Sequence, residues 1–155
     1  QRPHVVAIDI DIRAHNRKAL DEHPLRPMLT LIEGSSVSAE VVAQAKAAIR
    51  PDDRVLVVLD SNHLRDHVLA ELNAFAGFVS RGSAIVVMDG VMRDLAALPN
   101  ADRSWGTDNP IAAMDQFRRT PLGAEFDEIF RARRREERIV RDHLERIVAQ
   151  LFSQQ

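Results

Sequence analysis

Asp60 closes the apolar run Val55–Leu59, and His63 follows it across Ser61 and Asn62. A second apolar run, Ser83–Met88, closes on Asp89. Carboxylates are hard oxygen ligands for divalent cations, and an imidazole titrates close to physiological pH. Two acids and a histidine at one place can therefore hold a metal and move a proton. That chemistry requires the two runs to be neighbouring strands of an open α/β sheet, in which ligands bind beyond the carboxyl ends of the strands. Taken alone, the spacing has plainer readings. Asp60 also suits a strand-end cap for the helix that follows, and Asp89 suits a turn before Gly90. His67 lies four residues after His63 on one helix face, where a half-exposed helix residue is the better reading. His4, His15, His23 and His143 have no supporting constellation.

The positioning elements follow from periodicity and turn residues. His4–Ile12 (HVVAIDIDI) reads as a strand, Ala14–His23 as a short polar helix stopped by Pro24, and Met28–Glu33 as a strand ending at the turn Gly34-Ser35-Ser36. Ser38 can cap a helix whose stripe is Val41, Val42 and Ala45, running to Ile49 before Pro51. Strand Arg54–Asp60, helix His63–Phe78, the Arg81-Gly82 turn and strand Ser83–Met88 come next. Strands alternating with helices of this length predict βαβ units and a largely parallel sheet. Asp89–Asn109, with Pro99, Gly106 and Trp105, reads as a long connection of the kind that forms lids and binding loops. A helix is expected over Pro110–Arg119, with proline at its first position. From Gly123 onward one long amphipathic helix is expected, with Phe126, Ile129, Phe130, Ile139, Val140, Leu144, Ile147, Val148 and Leu151 on or near its stripe.

Composition narrows the function classes. The 155 residues suit one domain with a real core, and 21 basic against 23 acidic side chains give a formal charge of −2. That balance argues against nucleic acid or an anionic membrane as partner. The run RARRREER at Arg131–Arg138 is interleaved with acids and reads as a solvated helix face with i,i+4 ion pairs. There is no cysteine, so any metal must be held by oxygen and imidazole. With no apolar run near the ~20 residues that span a bilayer and no visible signal peptide, a cytoplasmic protein is expected. The opening strand has no glycine-rich turn before it, as a nucleotide-binding fold would require. A Rossmann-like doubly wound sheet lacking its first βα unit is therefore expected, with exposed strand edges and association into a homo-oligomer.

The stretches VVAIDIDIRAHNRKALDEHPL (Val5–Leu25), LIEGSS (Leu31–Ser36), VLVVLDSNHLRDHVLAELNAFAGFVSRGSAIVVMDG (Val55–Gly90) and RSWGTDNPIAAMDQF (Arg103–Phe117) resemble the cephalosporin hydroxylase / rhamnosyl O-methyltransferase family. The resemblance spans most of residues 5–120 and is not expected to extend into the C-terminal helix. It divides the chain into a methyltransferase-like domain, residues 1–122, and a C-terminal amphipathic helix, residues 123–155. It implies a methyltransferase fold that uses S-adenosylmethionine and Mg²⁺ or a similar divalent cation. It also implies transfer of a methyl group to a hydroxyl of a sugar, glycolipid or antibiotic. The implied roles are Asp60 and Asp89 as metal ligands, His63 as general base, and Asp9, Gly34 and Ser35 at the cofactor. Where many relatives carry an acidic pair before the glycine, this chain has Met88 and Asp89.

Two rival readings come from other classes. A catalytically silent module would keep the fold and associate through the C-terminal helix. An NAD-type oxidoreductase would leave the Asp60, His63 and Asp89 set unexplained. Cofactor binding separates the first rival from the enzyme.

Overall fold

The computed structural model describes residues 3–126. The described chain is a mixed α/β structure of short parallel strands and helices. Strand β1 (Val5–Asp9) is followed by α1 (Ala14–Asp21), β2 (Leu29–Glu33), α2 (Ala39–Ala47) and β3 (Val57–Leu59). Helix α3 (Arg65–Phe75), strand β4 (Ile85–Val87), α4 (Met92–Leu95) and α5 (Pro110–Phe117) complete the series. β1 pairs with β2 in parallel from Val5↔Leu29 to Asp9↔Glu33, and β3 pairs with β4 in parallel from Val57↔Ile85 to Leu59↔Val87. Among the described residues these are two separate two-stranded sheets. Each is one βαβ unit, because parallel neighbours need a crossover and a helix supplies it.

The strands are shorter than their apolar runs, for local reasons. The run His4–Ile12 stops pairing at Asp9, whose Oδ1 accepts the Asp11 N–H at 3.1 Å and turns the chain. In Arg54–Asp60 only the last apolar residues pair. The Val55 N–H donates to the Ser80 hydroxyl at 2.9 Å, and the Ser80 N–H donates to the Val55 carbonyl. The helix after Ser38 forms as expected. Ser38 Oγ accepts the Val41 N–H at 3.2 Å, and Val41 and Ala45 are buried.

The core gathers Ile32, Val41, Ala45, Leu59, Val68, Leu72, Phe75, Ala113 and Phe117. Helix α3 presents Val68, Glu71, Leu72 and Phe75 to it, the i, i+3, i+4, i+7 set of an inward face. Helix α5 packs opposite, with Asn109 as its N-cap: Asn109 Oδ1 accepts the Ala112 N–H at 2.9 Å.

Two expectations are corrected here. Asp89–Asn109 is not structureless, since it contains α4 and a 3₁₀ turn at Arg103–Gly106. The helix expected from Gly123 begins as a 3₁₀ turn, Gly123–Glu125, and Phe126 is extended with its ring 6.1 Å from that of Phe117. The rest of that expected helix lies outside the described residues.

Candidate active site

The two acids at the strand ends converge. The Met88 N–H donates to the Leu59 carbonyl at 3.0 Å, the last rung before Asp60 and Asp89 leave the sheet. His63 Nε2 lies 2.9 Å from Asp89 Oδ2, with both side chains partly exposed. One ligand atom from each of Asp60, His63 and Asp89 falls within 4.8 Å of the others. Two carboxylates gathered in this way would suit a hard divalent cation, with the imidazole beside them.

Asp89 is held by its backbone. Its φ is 56°, in the left-handed region that aspartate tolerates better than most residues. Gly90 follows so closely packed that a Cβ there would lie 2.7 Å from Ile111 Cδ1. A left-handed aspartate followed by a tightly packed glycine makes this a constrained turn.

His63 precedes the helix rather than heading it. Asn62 Oδ1 accepts the Leu64 N–H at 2.9 Å, which forms a tight turn, and α3 begins at Arg65. The cap is Asp108, reaching from the long connection so that its Oδ1 accepts the Arg65 N–H at 2.6 Å. The expected capping alternative for Asp60 is therefore filled by another acid. Sequence reasoning missed Asp108 because it is 43 residues from the N–H that it caps.

The first sheet forms a neighbouring rim. The Gly34 N–H donates to the Asp9 carbonyl at 2.8 Å, and Ser35 supplies the carbonyl that accepts the Ser38 N–H. Gly34 has φ 147°, and a Cβ there would meet Val41 Cγ2 at 2.8 Å, so only glycine fits. Asp9 is exposed at the end of β1, where its Oδ1 accepts the Asp11 N–H. Asp9, Gly34 and Ser35 are thus brought together at one strand end.

Between the two rims sits Glu71, a further residue missed in the sequence. It is 2% exposed, and its Oε1 accepts from Ser36 Oγ at 2.5 Å and from Ser61 Oγ at 2.6 Å. His67 Nε2 is 3.6 Å from the same oxygen and 3.3 Å from Ser36 Oγ, so His67 belongs to this cluster rather than to the acid–imidazole set. The signal was present, because Glu71 stands within the apolar stripe of α3. In the connection, Asn109 is fully buried and its Nδ2 donates to the Trp105 carbonyl at 2.7 Å, which ties the loop to the core.

Fold and site together define an α/β protein that gathers an acid–imidazole–acid set beside the carboxyl ends of parallel strands. The family follows from comparison: the model described as rhamnosyl O-methyltransferase/CmcI matches residues 1–143, and the chain belongs to that family. The family is one of S-adenosylmethionine-dependent methyltransferase-like proteins. The match runs well beyond residue 120, into the segment where the resemblance was expected to stop. No curated protein and no solved structure compared with the chain matches it. No helix among the described residues is long and apolar enough to cross a membrane.

Proposed function

We propose that this chain is an S-adenosylmethionine-dependent O-methyltransferase that methylates a hydroxyl of a sugar, glycolipid or antibiotic with help from Mg²⁺ or a similar cation. The observation that carries the reading is the gathering of Asp60, His63 and Asp89 within 4.8 Å in a member of this family. Under this reading the two sheets are parts of one Rossmann-like doubly wound sheet, and both strand-end rims serve one reaction.

When bound, the cofactor supplies an electrophilic methyl on sulfonium, and a divalent cation polarises the acceptor oxygen. Asp60 and Asp89 would hold the cation. His63 would take the hydroxyl proton at Nδ1, while the Asp89 carboxylate, 2.9 Å from Nε2, accepts the N–H that the ring carries there and stabilises the imidazolium that forms. Asp9 Oδ2 would accept from a ribose hydroxyl of the cofactor, and Gly34 and Ser35 would shape the turn beside it. With an in-line displacement, most of the chain's contribution is positioning.

Calorimetry of the full chain with S-adenosylmethionine, with and without Mg²⁺, tests this reading. Saturable heat from both ligands is expected. Absence of heat from the cofactor in either condition would contradict it and favour the silent assembly module.

A further inference from the structure

Glu71 is a carboxylate placed in the buried stripe of α3 between Val68, Leu72 and Phe75. Its Oε2 has no hydrogen-bond partner among the described residues. A buried carboxylate with one oxygen unsatisfied costs stability relative to an apolar side chain of similar volume. Core packing therefore gives no reason for it. Its other oxygen does: Oε1 accepts hydroxyl hydrogens from Ser36, in the loop after β2, and from Ser61, in the loop after β3. Ser36 directly follows Ser35, and Ser61 directly follows Asp60. The two sheets share no ladder among the described residues, so this shared oxygen is a direct polar tie between their carboxyl-end loops.

We propose that Glu71 is a positioning residue that couples the two loops, so that cofactor and divalent cation, each at its own site, bind cooperatively. This rests on the reading of the first loop as a cofactor site and the second as a metal site. A ligand that settles the Ser35-Ser36 backbone orders Glu71 through Ser36, and Glu71 orders Asp60 through Ser61. The converse holds by linkage, with the same factor in both directions.

The experiment is calorimetry on the full chain. The affinity for S-adenosylmethionine is measured without and with saturating Mn²⁺, and the affinity for Mn²⁺ without and with S-adenosylmethionine. In the unaltered protein each ligand should tighten the other about fivefold or more, the lower end of usual coupling between sites. In Ser61→Ala and Ser36→Ala each ligand should still bind, with an unchanged far-UV spectrum, while the coupling factor falls to about one. Glu71→Gln keeps an acceptor oxygen and should retain an intermediate factor, whereas Glu71→Met should abolish it. A merely structural role would lower thermal stability in these variants and leave the factor untouched, which would overturn the proposal. An unaltered protein that binds both ligands independently would overturn it too. One that binds neither would overturn the functional reading, and this coupling with it.

Discussion

The contact between His63 Nε2 and Asp89 Oδ2 gives two residue-scale predictions. His63→Ala should lower turnover roughly 10²–10⁴-fold, the range for a positioned acid–base group, and leave cofactor affinity within about twofold. Release of S-adenosylhomocysteine with a panel of glycosides as acceptors, set beside calorimetry, checks both halves; equal losses in turnover and binding would contradict the base assignment. Asp89 bears a second, conformational burden through its φ of 56°. Asp89→Asn should preserve stability within about 1 kcal/mol, since asparagine tolerates that region, while Asp89→Val should cost on the order of 1–3 kcal/mol. Urea unfolding of the two variants separates charge from backbone strain, and equal stabilities would show that strain is absent.

At the scale of elements, the site depends on how turns and caps hold the strand ends. Gly34 combines a positive φ with a close approach to Val41, so Gly34→Ala should destabilise by on the order of 1–3 kcal/mol and lower the thermal midpoint. Asp108→Ala removes the cap of α3 and should cost about 1 kcal/mol. The 3₁₀ turn beside Trp105 carries a pH response. The Ser104 hydroxyl and then the Ser104 N–H hold the Asp102 carboxyl below the ordinary carboxylate range. A depressed carboxyl stabilises the folded turn above its unfolded value, and that contribution is lost as pH falls through the folded one. The turn should therefore be unaffected between pH 8 and about pH 5 and loosen below about pH 4. Trp105 is the only tryptophan and reports this by fluorescence. Asp102→Ala should shift the neutral-pH signal toward the acid form; a signal like the unaltered protein's would contradict the role given to this cap.

Across the whole molecule, the parts legible in sequence were those set by local chemistry. Apolar runs ending in Asp60 and Asp89 specified parallel strand ends, and Ser38 as a cap and Pro110 at a first helical position signalled their helices. What was not legible depends on contacts between distant segments. Asp108 caps α3 from the far end of a connection, and Glu71 gains its meaning only when Ser36 and Ser61 arrive beside it. Strand lengths were overestimated because Ser80 takes the backbone groups of Val55 that the apolar run would have given to the ladder.

The central claim is that Asp60 and Asp89 hold one divalent cation beside His63. Electron paramagnetic resonance of Mn²⁺ titrated into the full chain with S-adenosylmethionine present measures this directly. One bound ion per chain is expected, lost in the Asp60→Asn/Asp89→Asn double variant while the far-UV spectrum is kept. Bound Mn²⁺ that is absent from the unaltered protein, or that survives the double substitution undiminished, would contradict it.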